Sequence, residues 1–461
     1  MTIQTNQWVW LRYAETETFV TEALAQFVSV APQAQALERA LLARTSSRLF
    51  DWLDHLVLAD GDALRGRLAD LGFEVEDAPA DPGDAVYHHP RAIFPRLVLR
   101  RQTDIPPGEV VAAAIQVERL DRFLMTQHAA VSIEGSPLSP YRRACVWQAD
   151  GRVMWAVERR GHAGFVPLQM PPDYAHRYLA ASEKWATRRR HFDDARQGMA
   201  HTLELARWLA GEVGTDTAAW IAFEVERAHW QRRNRAGQVQ KARQEALGLG
   251  WANHDHHTFR SSRDVFPLLI QILETLGFYA RERFYAGAEA GWGAQVMEQP
   301  VCRFAVFADV DLAPDEVASD FTRRTLPFRQ ELGTVGLWCA LHGESMLEAG
   351  LHHLAGRFDF DAVTADLIGW NVEMMPPFSE FSFLQQAFTQ GERWQVTPER
   401  LARLIQMGQL DEAQRARFAE KGAVGSHLEN IQRGEGFKGF NQQRVSDIIR
   451  RTDPRAGFGA R

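Results

Sequence analysis

The stretch "GWANHDHHTFRSSRD", residues 250–264, carries three histidines within four positions, His254, His256 and His257, and an arginine, Arg260, four residues after His256. Taken alone it reads as a metal site, as a solvated polar patch, or as a core strand that happens to carry histidines. The residues downstream narrow the choice. The segment "HDHHTFRSSRDVFPLLIQILETLGFY" (254–279) is an Asp-His strand, then an amphipathic helix, then Leu-Gly-Phe. The same plan occurs in "LDHLVLADGDALRGRLADLGFE" (53–74). The next strands match as well, "PRLVLRRQTDIPPGEV" (95–110) against "CRFAVFADVDLAPDEV" (302–317). A likeness this long points to an internal duplication.

Two further segments share the plan of the first. "EAGLHHLAGRFDFDAV" (348–363) places His353 on a strand, Arg357 four residues later, and a helix from about Asp361. "GSHLENIQRGEGFKGFN" (425–441) places Glu429 on a strand that runs into a glycine-rich turn. Strand alternation sorts the histidines: His254 and His256 share one face, and His257 points the other way. The Asp-His match selects His256 and leaves His254 as a neighbour. The same reasoning selects His353 and turns His352 outward. Two imidazoles and one carboxylate on one face of an Fe(II) ion leave its other positions open for substrate and oxygen. The metal ligands read from this pattern are His256, His353 and Glu429.

A strand-borne Asp-His followed by a helix and three strands resembles the βαβββ unit of the vicinal oxygen chelate superfamily. In that superfamily paired units curl into an open barrel around a metal. "GLHHLA" followed by "HLENIQRGEGFKGFN" resembles the C-terminal half of 4-hydroxyphenylpyruvate dioxygenase. The 2-oxoadipate dioxygenase/decarboxylase (hydroxyglutarate synthase) family is a better match over about 250–450. Its His-x-x-x-Arg strand corresponds to His256 through Arg260, its "N-H-L-T-P-R" strand to "HHLAGR" (352–357), and its "G-S-H…E-x-Q-R-G" strand to "GSHLENIQRG" (425–434). This chain departs from the family in carrying Ala-Gly where the second strand has Thr-Pro.

The resemblance implies Fe(II) as cofactor, and molecular oxygen and a 2-oxo acid as partners. The reaction it implies is oxidative decarboxylation of 2-oxoadipate to 2-hydroxyglutarate and CO2. A second carboxylate on the substrate needs a fixed cation, and Arg260 stands at the matching position. It lies on the same strand face as His256, roughly 13 Å along, and its planar fork grips a carboxylate bidentately. Arg357 holds the equivalent place in the second unit and is the other substrate-binding candidate. The alternatives are the same chemistry on an aromatic pyruvate, or a metal-free protein that binds small molecules in the same barrel.

The remaining sequence sets the frame. The chain has 461 residues with a formal net charge of -7, which gives no electrostatic case for nucleic acid or membrane binding. No apolar run approaches the roughly 18–20 residues a bilayer requires. The N-terminus has no charged segment leading into an apolar one, so no signal peptide is expected. Cys145, Cys302 and Cys339 are far apart and read as small buried residues in a reducing cytoplasm. The oligomeric state is open, with a homodimer as the candidate.

The expected architecture is α+β, with duplicated βαβββ units forming open barrels and a helical insertion. Residues 1–45 form an N-terminal helical segment broken at Pro32, 46–170 a degenerate half, 171–249 the helical insertion, and 250–461 the catalytic half. In the insertion Gly211 and Gly214 mark a turn, and Thr215 or Asp216 is placed to cap the next helix. The degenerate half keeps His55, and Glu158 in "WAVERRG" (155–161) echoes "HLENIQRG", but the strand "VVAAAIQVERL" (110–120) supplies no histidine. "YHHP" (87–90) reads as a turn, and "GEGFKGF" (434–440) as a turn leading into a lid helix.

Overall fold

Both Asp-His segments are central strands, buried along their whole length. They tolerate burial because the two side chains satisfy each other. His55 Nδ1 lies 2.6 Å from Asp54 Oδ2, and His256 Nδ1 lies 2.9 Å from Asp255 Oδ1. A computed structural model describes residues 10–102, 104–288, 290–441, 448 and 451–455.

Two helices open the chain, α1 (Ala14–Val30) and α2 (Pro32–Thr45). Pro32 sits at the first position of α2, where its missing N–H needs no partner. One βαβββ unit follows: β1 (Leu53–Ala59), α3 (Asp62–Asp70), β2 (Glu74–Glu76), β3 (Ala85–His88) and β4 (Arg96–Arg100). Tyr87 and His88 thus end β3, where a turn was expected, because this segment pairs with β2 on one side and β4 on the other. A second unit, one strand shorter, consists of β5 (Val110–Gln116), α4 (Leu120–Thr126), β6 (Tyr141–Ala149) and β7 (Arg152–Arg159). Together they form a seven-stranded sheet in the order β2-β3-β4-β1-β5-β7-β6.

Four helices lie between the sheets in sequence: α5 (Tyr174–Ala186), α6 (Ala195–Val213), α7 (Thr215–Gln231) and α8 (Arg235–Glu245). Gly211 lies inside α6 and does not mark the turn. Gly214 does, with φ of 83°, and it takes the capping position expected of Thr215 or Asp216. The breaks that helical periodicity misses are set by caps: Asp194 accepts from Arg196 N to open α6, and Asn234 from Gly237 N to open α8.

The second sheet repeats the first. Its first unit is β8 (His254–Arg260), α9 (Phe266–Thr275), β9 (Tyr279–Tyr285), β10 (Trp292–Gln299) and β11 (Phe304–Asp311). After α10 (Thr334–His342) come β12 (His353–Arg357), α11 (Phe360–Ile368), β13 (Ser379–Phe381), β14 (Leu384–Phe388), β15 (Glu392–Trp394), α12 (Pro398–Gln406), α13 (Glu412–Lys421) and β16 (Ala423–Arg433). The order is β13-β14-β16-β12-β8-β11-β10-β9, with β15 beside β16.

In both sheets the opening strand of a unit runs parallel to its closing strand: β1 to β4, β5 to β7, β8 to β11 and β12 to β16. The two opening strands pair antiparallel at the centre, β1 with β5 and β8 with β12. The architecture is α+β, and neither strand order closes on itself, so both sheets are open. Cys302 and Cys339 are buried and Cys145 is half-buried, all with free thiols. No helix among the described residues is long and apolar enough to cross a membrane.

Candidate metal centre

Three adjacent strands of the second sheet converge on one point. His256 projects from β8, His353 from β12 and Glu429 from β16, and β12 pairs with both others, setting His353 opposite Thr258 and Ala355 opposite Glu429. The ligand atoms the three residues offer all lie within 4.8 Å of one another, and all three residues are buried. Nε2 of His256 and Nε2 of His353 each stand 3.1 Å from Glu429 Oε2. Donors on right-angled bonds of about 2.1 Å sit about 3 Å apart, so the spacing fits one shared ion.

Each donor is aimed by a second contact. Asp255 Oδ1 accepts from Nδ1–H of His256, which turns Nε2 toward Glu429 and, once that nitrogen is unprotonated, toward a metal. Gln386 Nε2 donates to Glu429 Oε1 at 2.8 Å, leaving Oε2 toward the histidines. His353 Nδ1 is 3.1 Å from His352 Nδ1, and its Nε2 also meets Thr258 Oγ1 at 2.8 Å. Arg433 anchors Asp255 through both carboxylate oxygens.

The electrostatics single out one proton-bearing imidazole. Burial opposes charge on His256, but the Glu429 and Asp255 carboxylates outweigh it and raise its pKa to about 9. Burial holds His353 down at about 4, against the pull of Glu429. Glu429 itself falls far below the usual carboxylate range: burial opposes ionisation, and the two imidazoles overcome it.

Strand alternation does not place every histidine as expected. The β8–β12 register slips between the pairs Leu354–His257 and Gly356–His254, so β8 carries a bulge there. The bulge turns His254 to the face of His257. Its ring packs on His257 and Phe304, while His256 packs on Phe307 and His353. His352 does not face outward; it is 2% exposed, because α10 covers that face and Trp338 packs on its ring.

Around the three donors lies a cavity that also takes in Thr258, Arg260, Asp309 and His352. Its apolar wall holds Phe284, Trp292, Phe307, Phe378, Phe388 and Phe440. Arg260 is 2% exposed, yet among the described residues its Nε and Nη1 have no hydrogen-bond acceptor. Its nearest carboxylate oxygen, Asp309 Oδ2, is 3.9 Å away, and burial raises the Asp309 pKa to about 7 against the pull of Arg260. Arg357 does not line this cavity. It faces the cleft between the two sheets, where its Nη2 donates to the His254 carbonyl at 3.3 Å. "GEGFKGF" is a turn as expected; most of the lid helix expected after it falls on residues 442–447 and 449–450, outside the described residues.

The first sheet keeps the same register but carries other residues at two of the three positions. Ala112 stands opposite Val57, the place His353 takes opposite Thr258, and Trp155 stands opposite Ala114, the place Glu429 takes opposite Ala355. Of the three donors only His256 has a counterpart, His55. Glu158 lies three residues beyond the position of Glu429 and serves the fold instead. It accepts from Leu120 N at the start of α4 and pairs with Arg160.

No family model matches the sequence, and no curated protein matches it. Among solved structures, a triple mutant of 4-hydroxymandelate synthase from Streptomyces coelicolor aligns with 13% identity over 88% of this chain and 99% of its own, at a TM-score of 0.28. A xylose isomerase-like TIM barrel/4-hydroxyphenylpyruvate dioxygenase fusion protein aligns with 12% identity over 90% of this chain and 54% of its own, at 0.25. Methylmalonyl-CoA epimerase from Mycobacterium tuberculosis aligns with 12% identity over 39% of this chain and 87% of its own, at 0.22. At these TM-scores the fold stands on the strand order and register given above. Those define an α+β protein of paired βαβββ-type units, one of them a strand short, with a buried cluster of two histidines and one carboxylate.

Proposed function

We propose that the chain is a mononuclear non-haem Fe(II) dioxygenase that oxidatively decarboxylates a 2-oxo acid. The observation that supports this is the convergence of His256 and His353 on one oxygen of Glu429 inside a cavity that also holds Arg260. Two imidazoles and a carboxylate on one face suit Fe(II) with open positions. When bound, the metal supplies Lewis-acid and oxygen-activating chemistry.

The remaining work falls to the chain. Asp255 keeps the His256 tautomer that presents Nε2, and Gln386 holds the Glu429 oxygen that the histidines do not face. The aromatic wall keeps water from the reacting end of the substrate. Arg260 binds a distal carboxylate, which supplies the acceptors its Nε and Nη1 otherwise lack. That selects a dicarboxylic 2-oxo acid of the size of 2-oxoadipate. Such a substrate with O2 gives 2-hydroxyglutarate and CO2, with all atoms accounted for.

The second reading, an aromatic pyruvate, is favoured by one observation, the six aromatic side chains in the cavity wall. Oxygen uptake with a panel of 2-oxo acids, after anaerobic reconstitution with Fe(II), separates the two. A dicarboxylic acid turned over in preference to phenylpyruvates supports the first reading, and the reverse order supports the second. Failure to retain any divalent metal in excess would point to a metal-free binding protein.

A further inference from the structure

The cleft between the two sheets holds more guanidinium than carboxylate. On the side of the first sheet, Asp54 is already held by Arg159, through Nε at 2.6 Å and Nη2 at 2.8 Å, and by His55. Arg303 stands beside this filled pair, 3.6 Å from Asp54 Oδ1. On the other side, Asp255 is held by Arg433 and His256, and Arg357 stands 3.7 Å from Asp255 Oδ2. Four guanidiniums therefore face two carboxylates. The other charges here are matched: Arg96 is bound to Glu76, Arg48 to Asp51, Arg281 to Glu282, and Lys438 to Glu298.

The two surplus arginines also have buried nitrogens to spare. Arg303 Nη2 and Arg357 Nε are buried with no acceptor among the described residues, and so is His88 Nδ1 at the end of β3 across the cleft. Strand register brings the arginines level. Gly356 pairs with His254, and Arg303 lies two residues before Ala305, which pairs with His256. They flank β8 from the strand on either side, so their Cα atoms are about 10 Å apart.

We propose that this cleft binds a small dianion, a phosphate or a dicarboxylate, between Arg303 and Arg357. The excess of two positive charges matches a dianion, and planar guanidinium forks suit either oxyanion. The site is separate from the metal cavity. Neither His353 nor Glu429 lines the cleft, which shares only His256, Phe307 and Phe440 with that cavity, and the two phenylalanine rings close on each other at 5.1 Å. Anion binding here is independent of the proposed reaction.

Calorimetric titration of the full-length, metal-free protein with inorganic phosphate, glutarate and acetate at constant ionic strength tests this site. At least one dianion is expected to bind with one-to-one stoichiometry and acetate far more weakly. Arg303→Gln and Arg357→Gln should each weaken the dianion at least about tenfold, and His353→Ala should leave it unchanged. The stronger of phosphate and glutarate identifies the ligand group. Thermal melts of the wild type guard against variants that do not fold: Tm should rise with the dianion and not with chloride at equal ionic strength. No binding and no such rise overturns the proposal. So does binding that survives both arginine variants but is lost in His353→Ala, since that places the anion at the metal centre.

Discussion

Arg433 grips Asp255 through both oxygens, Nε to Oδ2 at 2.8 Å and Nη2 to Oδ1 at 2.9 Å, and its Nη1 donates to the carbonyls of Phe437 and Gly439. Arg159 repeats this arrangement in the first sheet, with Asp54 as its acceptor and His162 and Gly164 as its carbonyl partners. The duplication has thus preserved an Arg–Asp–His chain in both halves, but only the second has histidine and glutamate partners beside it. The Arg–Asp–His arrangement is common to both sheets, and only in the second does it end on a histidine of the proposed metal site.

This contrast gives the first prediction. Asp255→Asn loses the charge and one of the two acceptor oxygens, so Arg433 and His256 compete for the one that remains, and metal affinity should fall about 10–100-fold. Asp54→Asn breaks the equivalent buried pair and should lower stability without changing metal affinity. Metal titration and thermal melts of the two variants side by side check both parts. Equal loss of affinity in both would mean that Asp255 acts only on the fold.

The ligand assignment is checked by a second pair. Glu429→Ala should abolish metal retention while the fold persists, as read by metal analysis and circular dichroism. His55→Ala should leave metal content and activity within a few-fold, since Ala112 and Trp155 stand where its partners would be. Loss of metal in His55→Ala would mean that the centre had been assigned to the wrong sheet.

Arg260 distinguishes the substrate classes. Arg260→Ala should lower kcat/KM for a dicarboxylic 2-oxo acid by about 2–5 kcal/mol, with a much smaller loss for the monocarboxylic analogue. Arg260→Lys should also be damaging, because an ammonium cannot reproduce the fork. Both variants should keep their metal. Equal losses for the two substrates would show that Arg260 supports the strand, and would advance the aromatic reading.

A fourth prediction concerns the helices that brace β12. Glu226 on α7 accepts from Arg190 at 2.9 and 3.0 Å and from Trp185, and pairs with Arg188 at 2.8 Å. Both arginines also donate to carbonyls just before β12, at Met346 and Leu347. Burial opposes the Glu226 charge, but the arginines overcome it and lower its pKa from 4.5 to about 2. A depressed folded pKa adds stability above the unfolded value, and that contribution is lost as pH falls from about 4.5 toward 2. Glu226→Gln should cost about 3–5 kcal/mol at neutral pH, because it leaves buried arginines uncompensated. Its stability should also fall less between about pH 5 and 3 than that of the wild type, measured by urea denaturation.

Much of this was legible in the chain itself. The Asp-His strand, the helix and Leu-Gly-Phe recur at two places, and period-two and period-3.6 patterns are local properties that survive without coordinates. The same patterns put His256, His353 and Glu429 on strands, and the pairing of β12 with β8 on one side and β16 on the other then sets them side by side. The α+β architecture with duplicated units follows from the same local signals.

Tertiary structure decided what local pattern could not. A one-residue bulge in β8 reverses His254, and α10 buries His352, which alternation alone places at the surface. The matching letters of "WAVERRG" and "HLENIQRG" align Glu158 with Glu429, but strand register aligns Arg159 with Arg433, because hydrogen-bond pairing counts residues from the opening strands rather than letters in a motif. The spare guanidiniums of Arg303 and Arg357 emerge only when two sheets distant in sequence face each other. Whether a charge is matched depends on which partners reach it across the fold, and one-dimensional spacing carries no record of that.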